Sequence, residues 1–339
     1  MNRLTCTLLL AAAILSAQDQ PQGKHLTNLK RLTDGGQNAE AYWAPDGKRL
    51  IFQSTRPPHE CDQIYIMNAD GSDQRLVSTG KGRTTCSYFL KDNKHFVYAS
   101  THEDNAACPA PPDRSKGYLW GVFPTYDIYL ATDDGKIVKK LTDETGYDAE
   151  ATINFKTNRV VYTSQKSGDL ELWSMKPDGS SKKQITNREG YDGGAVYSHD
   201  GKKIVWRATD PDNKPVMIRY KELLKEGLTE PMKMELFIAD ADGKHVQQLT
   251  KFGCASFAPT FTPDGKKIIF SSNKHNCDGR RFELFSINPD GTGLEQMTSF
   301  GGFTSFPEFS PDGNKFVFAS DYQAKQRYEF NIWVADWKN

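Results

Sequence analysis

The stretch SFPEFSPDGNKFVFAS, residues 305–320, decides the fold because the chain contains two close copies of it. The copies are EAYWAPDGKRLIFQS at 40–54 and APTFTPDGKKIIFSS at 258–272. In each, an apolar run leads to an Asp-Gly pair and a second apolar run follows. Asp-Gly accepts the positive φ angles of a tight hairpin, and aromatic and β-branched residues suit a pleated, half-buried strand. Each copy therefore predicts a β-hairpin.

Weaker copies extend this repeat along the chain. A pair resembling Leu-Thr precedes each unit, and the pairs are spaced by 44, 65, 44, 64 and 48 residues. The pairs are Leu32-Thr33, Leu76-Val77, Leu141-Thr142, Ile185-Thr186, Leu249-Thr250 and Met297-Thr298. Each unit also contains a second apolar pair of strands, so the repeat predicts six four-stranded antiparallel sheets.

Such a sheet is apolar on both faces and is not stable alone. A radial arrangement buries both faces, so the sequence predicts an all-β fold, a six-bladed β-propeller. The last unit stops one strand short, at NIWVADWKN (331–339), while an unassigned strand, LKRLT, stands at 29–33. We therefore expect the N-terminal strand to become the outer strand of blade six and to close the ring.

The first residues have the pattern of an export signal. Arg3 precedes the apolar run LLLAAAIL at 8–15, which is too short to span a bilayer, so 1–17 is predicted to be a signal peptide. A short membrane anchor is the alternative. The remaining chain is predicted to be a short segment, 18–28, and a propeller, 29–339, that is periplasmic or secreted, does not span a membrane and is monomeric.

The charge balance narrows the range of partners. The chain has 43 basic and 43 acidic residues. Nucleic acids and anionic membranes normally require a basic face, so neither is an expected main partner.

The repeat resembles that of the TolB-type propellers of the bacterial periplasm. Their signature is similar to L-T … W-S-P-D-G-K-x-I-A-F-x-S … I-Y-x-M-x-x-D-G, which the units here follow over nearly the whole mature chain. The resemblance implies a binding role and an envelope protein or peptide as partner. TolB carries an α/β domain before its propeller, whereas only about ten residues precede the first strand here. The chain is thus expected to be a propeller-only relative.

Long loops on a rigid scaffold are where binding residues concentrate. In such blades the loops that enter the innermost strands share one face, here called the top face, with the loops between the second and third strands. Both insertions, 101–125 and 210–234, fall there, and the second contains a predicted amphipathic helix, VMIRYKELLKEGL (216–228). The candidate binding residues of the top face are Tyr118, Trp120, Phe123, His59, His102, His275, Arg56, Arg280, Glu40 and Glu150. The alternative is that the aromatic residues plug the channel.

The cysteines of the mature chain all fall at top-face positions. Cys254 and Cys277 belong to one blade and are predicted to form a disulfide in an oxidising compartment. Cys86 could pair with Cys61 or with Cys108, which leaves one thiol over, and the sequence does not decide the pairing of these three cysteines. The phrases HECD (59–62) and HNCD (275–278) could instead indicate metal ligands. Because disulfides explain the cysteines, no metal and no cofactor is expected.

Carboxylates recur at the predicted channel mouth. Glu40 and Glu150 share one repeat position, and Asp148 and Asp192 share another. Such pairs can perform acid–base chemistry or bind a cation, although pairing with nearby basic residues is the commoner outcome.

No catalytic motif is recognisable in the sequence. G-x-S-x-G, the Walker loop, H-E-x-x-H and the Rossmann glycine pattern are all absent. The preferred hypothesis is a non-catalytic interaction module that binds through its top face. The alternative is a polysaccharide lyase or hydrolase, in which His59, His102, His275, Arg56 and Arg280 are candidates for the base and for neutralising a uronate.

Overall fold

A computed structural model describes residues 21–338 and confirms the six-bladed β-propeller. Six antiparallel four-stranded sheets succeed one another around a central channel, and contacts between innermost strands join each blade to the next and blade six to blade one. The predicted signal peptide, 1–17, lies outside the described residues. Between residues 21 and 338, no helix is long and apolar enough to cross a membrane.

The strands fall into four concentric sets. The innermost strands are Gln37–Trp43, Thr84–Phe89, Asp148–Asn154, Asp192–Tyr197, Ser256–Phe261 and Thr304–Phe309. The second strands are Arg49–Thr55, His95–Ser100, Arg159–Ser164, Lys203–Thr209, Ile268–Ser272 and Lys315–Ser320. The third strands are Gln63–Asn68, Asp127–Thr132, Glu171–Met175, Met234–Asp240, Glu283–Ile287 and Asn331–Trp337. The outer strands of blades one to five are Arg75–Leu76, Ile137–Lys140, Lys183–Gln184, Gln247–Gln248 and Glu295–Gln296.

The N-terminal strand closes blade six, as predicted. It runs from Leu26 to Arg31, three residues earlier than the predicted start, and pairs antiparallel with Asn331–Trp337. The backbone N–H of Leu32 then donates to Ile332 O at 2.8 Å. The N-terminal strand thus covers the edge of the third strand of blade six, and blade six contains strands from both ends of the described chain. This pairing holds the ring closed.

The repeated Leu-Thr pair has a structural reason. Its hydroxyl accepts a hydrogen bond from a backbone N–H of the third strand in every blade, at 2.8–3.0 Å. In blade one the hydroxyl belongs to Ser78, so the structural equivalent of the pair is Val77-Ser78, one residue later than the pair that the sequence suggested. The hydroxyl therefore ties the short outer strand to the sheet where backbone pairing ends.

A second repeated feature shapes the channel wall. Each innermost strand has one extra residue relative to its partner, a β-bulge, and the bulged residue has a left-handed backbone with φ between 49° and 60°. These residues are Glu40, Cys86, Glu150, Gly194, Ala258 and Phe306. They are called the bulge ring below. Bulges re-aim side chains, and all six residues line the central cavity.

The two insertions pack together over the top face. Helix Lys214–Lys225 is close to the predicted helical segment and buries Met217, Tyr220 and Leu223. Short strands from each insertion, Trp120–Gly121 and Leu228–Thr229, pair with each other. Single turns of 3-10 helix, Arg114–Lys116 and Pro231–Lys233, complete the loops.

The cysteine pairing follows the prediction in one blade and differs in another. Cys254 pairs with Cys277, and Cys61 pairs with Cys108. Neither of the two pairings that the sequence suggested for Cys86 forms, and Cys86 is the free thiol. Its bulged position turns it into the channel, away from the loops that hold Cys61 and Cys108.

Candidate functional site

The central channel holds a cavity of about 520 Å³. Its walls are the bulge ring and the residues two positions further along each innermost strand, such as Tyr42, Tyr88 and Glu308. It extends to the turns between the first and second strands, where Lys91 and His199 line it and are exposed. The cavity therefore opens on the face opposite to the top face, which is called the turn face below. Its volume is in the range of ligand pockets.

The insertions cover the other end of the channel. The Trp120 ring lies 6.1 Å from the Phe257 ring and 4.9 Å from the guanidinium of Arg207, and both of these residues belong to strands around the channel. Phe257 in turn contacts Phe306 of the bulge ring, with ring centroids 6.4 Å apart. Trp120 therefore lies where it is expected if the aromatic residues plug the channel.

A buried ion pair forms part of the bulge ring. Glu150 accepts hydrogen bonds from an Nη of Arg207, from Tyr191 Oη at 2.6 Å, from Thr163 Oγ1 at 2.7 Å and from the Gly194 N–H at 2.9 Å. The side chains of Glu150 and Arg207 are only 7% and 10% exposed. Burial acts to lower the pKa of Arg207, but the Glu150 carboxylate and neighbouring groups outweigh it, so the guanidinium stays charged.

Gly194 makes this ion pair possible. At the other bulge-ring positions a side chain begins at Cβ, whereas a Cβ on Gly194 would fall 1.8 Å from an Nη atom of Arg207. The guanidinium therefore occupies the space of the missing side chain. In blade four, the side chain at this level of the channel is thus that of Arg207, which belongs to the second strand and not to the innermost one.

Glu40 is the carboxylate of the ring without a cationic partner. Its Oε2 atom is buried and has no hydrogen-bond partner among residues 21–338. Burial raises the pKa of Glu40 to about 7, although a hydrogen bond from the Cys86 thiol and the charge of Arg207 oppose the rise. Burial and the nearby Glu40 and Glu150 charges likewise raise the pKa of Cys86, so the thiol stays protonated.

A second carboxyl lies one layer nearer the turn face. Glu308 accepts hydrogen bonds from Tyr88 Oη and, at 2.7 Å, from the backbone N–H of Trp43. Burial raises the pKa of Glu308 to about 8, and these hydrogen bonds offset it only in part. The Tyr42 and Tyr88 rings, 5.0 Å apart, line the wall beside it.

The predicted top-face residues do not form one cluster. His59, His102 and His275 belong to blades one, two and five, and blade five lies across the ring from blade two. His102 contacts the Tyr129 ring, and burial lowers its pKa. His275 bonds to Gln296 at 2.8 Å. All three lie outside the lining of the channel cavity.

The remaining top-face candidates have structural contacts. Arg56 donates to Ser54, Asn38 and Gln74 within its own blade. Tyr118 is 46% exposed, and Arg280 lies 5.7 Å from its ring, so this pair links the insertion of blade two to blade five. Phe123 packs in the apolar cluster formed with Val122, Tyr126, Tyr147 and Tyr220, which holds the insertion in place.

Of the two predicted carboxylate pairs, only Glu40 and Glu150 line the cavity. Asp192 is buried and pairs with Arg188 Nε at 3.1 Å and Trp206 Nε1 at 2.6 Å. Asp148 is buried, and burial raises its pKa to about 7. Within residues 21–338, no group of three His, Cys, Asp or Glu side chains is placed to bind a metal ion.

Sequence reasoning missed most of the cavity. Glu308, Tyr42 and Tyr88 share one repeat position, and Arg207 stands where the other second strands have Gln53, Ala99, Thr163, Ser271 and Ala319. An arginine at a buried strand position that elsewhere holds smaller uncharged residues was the signal that could have identified the ion pair.

The fold and the channel define a six-bladed propeller whose channel is covered at one end by Trp120. The family model of the dipeptidyl peptidase IV (DPP IV) N-terminal region matches residues 32–215, and the chain belongs to this family. No curated protein sequence matches the chain significantly.

Solved structures share the fold at low identity. A protein designated TolB from Agrobacterium tumefaciens superposes with a TM-score of 0.58 at 17% identity, over 90% of this chain and 91% of that one. TolB from Acinetobacter baumannii gives 0.58 at 18% identity over 90% of this chain, which spans 64% of that protein. An oligogalacturonate lyase in complex with manganese gives 0.53 at 14% identity, over 92% and 93% of the two chains.

Proposed function

We propose that this protein is an exported, non-catalytic interaction module that binds a protein or peptide segment in its central channel, from the turn face. The observation that carries the proposal is the cavity of about 520 Å³, which reaches the turns at one end and has Trp120 packed on Phe257 over the other end. Aromatic and proline side chains in its wall, among them Tyr42, Phe155 and Pro259, offer rigid apolar contact area, which suits peptide recognition.

Export is supported by the disulfides and by the predicted signal peptide. Cys61–Cys108 and Cys254–Cys277 are both formed, and structural disulfides persist mainly in oxidising compartments such as the periplasm. The similarity to TolB structures is consistent with an envelope partner but by itself concerns only the fold.

The proposal differs from the sequence-based hypothesis in the face that binds. Packing of the two insertions covers the channel at the top face, where Trp120 contacts Arg207 and Phe257. Binding through exposed Tyr118 stays a prediction of the sequence, and the experiment below compares the two faces directly.

The experiment fills the channel and measures partner capture from envelope extracts. Val196 lines the cavity, so Val196→Trp narrows it, while Val138→Trp is the matched control on an outer strand, where the valine is 51% exposed. We expect Val196→Trp to abolish capture and the control to retain it, at melting temperatures close to wild type. Loss of capture in Tyr118→Ala alone would move the site to the top face. Turnover of polygalacturonate by the wild type would overturn the non-catalytic function.

A further inference from the structure

We propose that Glu40 is the recognition site for a cationic group, the ammonium of a lysine or the guanidinium of an arginine, on the segment that enters the channel. The inference deepens the proposed function and rests on it. It names the chemistry that the ligand must present at the closed end of the cavity.

The first observation is that one oxygen atom of the Glu40 carboxyl is unpaired, although the Cys86 thiol donates a hydrogen bond to this carboxyl. Glu40 lines the cavity, and its buried Oε2 has no hydrogen-bond partner among the described residues. Leaving a buried acceptor unpaired costs free energy, and the cost is larger if the group is charged. A ligand that donates hydrogen bonds to Glu40 would recover this free energy.

The second observation is the balance of charge around the bulge ring. Arg207 is paired with Glu150, so these two charges cancel, and an ionised Glu40 leaves the closed end with one net negative charge. The Nε of Arg207 also lacks a hydrogen-bond partner in the described part of the chain, but the guanidinium charge is already matched by Glu150. The charge at the closed end therefore favours a cation over an anion.

The third observation is the aromatic lining of the cavity, both at the level of Glu40 and nearer the mouth. The rings of Tyr42, Tyr88 and Phe306 line the same cavity. Aromatic faces attract ammonium and guanidinium groups, and the attraction is stronger where the groups are desolvated. They also accommodate the apolar stem of a lysine or arginine side chain.

The depth of the site restricts the ligand further. Pro45, which lines the mouth, follows Glu40 by five residues and lies two residues beyond the end of the strand Gln37–Trp43. At about 3.3 Å per residue, the three steps from Glu40 to the strand end at Trp43 correspond to roughly 10 Å, and the mouth lies beyond that point. A lysine or arginine projecting from a flat surface would not reach Glu40, so the ligand must present the charge on an extended segment or a chain end.

Binding of a cation should release protons. The charged and titratable groups around Glu40 are Cys86, Arg207, Glu150 and Asp62, and Glu308 lies one layer nearer the mouth. The pKa of Glu40 is about 7 in the free protein, so part of the population is protonated at neutral pH. A bound cation favours the carboxylate, and the proton leaves to solvent.

The experiment uses small probes in place of the unidentified segment. Butylammonium and butylguanidinium carry the proposed charge, whereas butanol and butyrate match them in size without it. Calorimetric titrations of the whole protein at pH 7 in two buffers of different ionisation enthalpy measure affinity and proton release together. The variants are Glu40→Gln and, as a matched control, Glu103→Gln, since Glu103 is an exposed carboxylate paired with Lys140.

We expect both cations to bind wild type and Glu103→Gln with proton release, and Glu40→Gln to bind them at least tenfold more weakly at an unchanged melting temperature. Equal affinity of Glu40→Gln, or tighter binding of butyrate or butanol than of the cations, would overturn the inference. If Val196→Trp still abolishes partner capture while the cations fail to bind, only the charge preference is refuted and the channel proposal stands.

Discussion

Glu150→Gln tests whether the buried ion pair stabilises the channel. The substitution keeps the size of the side chain but removes the negative charge, so Arg207 is left buried without a charge partner. Exposed ion pairs contribute about 0–1 kcal/mol, but these side chains are only 7% and 10% exposed, so solvent screens them little. Removing one partner of a buried pair costs about 3–5 kcal/mol. At about 2 °C per kcal/mol, we expect the melting temperature to fall by roughly 6–10 °C.

The assay is urea unfolding combined with a double-mutant cycle. Arg207→Met alone leaves the Glu150 carboxylate with donors from Tyr191, Thr163 and the backbone of Gly194. Because the double variant Glu150→Gln/Arg207→Met buries no charge at this site, it should lose at least about 2 kcal/mol less than the sum of the single variants. A loss below about 1 kcal/mol for Glu150→Gln, or strictly additive losses, would refute the reasoning.

Three further predictions concern pH, the disulfide and the seam. The pKa of Glu308 is about 8 in the folded protein and 4.5 normally, so the folded state binds more protons than the unfolded state between these pH values. The free energy of unfolding should therefore fall as the pH rises from about 5 to 8, by at most about 1.4 kcal/mol per pH unit. Glu308→Gln should flatten this slope in urea titrations at several pH values. Cys254→Ala should lower stability by about 2–4 kcal/mol, and mass spectrometry after alkylation without reductant should find Cys254 and Cys277 unlabelled in wild type. Removing Leu26–Arg31 should lower the melting temperature markedly and promote association through the exposed edge, and a melting curve that overlays wild type would contradict the role of the seam.

The fold was predictable because the same local sequence signals recur in the six blades. Asp-Gly turns, alternating apolar residues and the Leu-Thr pair each specify one element, and they agree with one another in most units. The closing strand could be inferred by counting the predicted strands, because the last repeat unit has three strands and one unassigned strand precedes the first unit. Only its bounds shifted, to Leu26–Arg31.

The position of the plug could not be derived in the same way. Insertions 101–125 and 210–234 lack the repeat, so no neighbouring unit indicates how they fold. Their contacts join distant segments, such as Lys116 with Glu226 and Trp120 with Phe257. Sequence periodicity reports local pairing and the faces of strands, but it does not report which loop covers a channel.

The ion pair between Glu150 and Arg207 shows which residues an alignment of the repeat units can identify and which it cannot. Aligning blades by shared residues identified Glu40 and Glu150, because both occupy one repeat position. This alignment did not identify Arg207 and Gly194, because each differs from the residues at the equivalent position of the other blades. Arg207 is a large charged residue where the others are smaller and uncharged, and Gly194 is a glycine where the others have a side chain. The two exceptions compensate, since the guanidinium fills the space where a Cβ on Gly194 would stand 1.8 Å away from it. In a repeat protein the shared residues specify the scaffold, whereas a pair of matched departures in one unit indicates a specialised site.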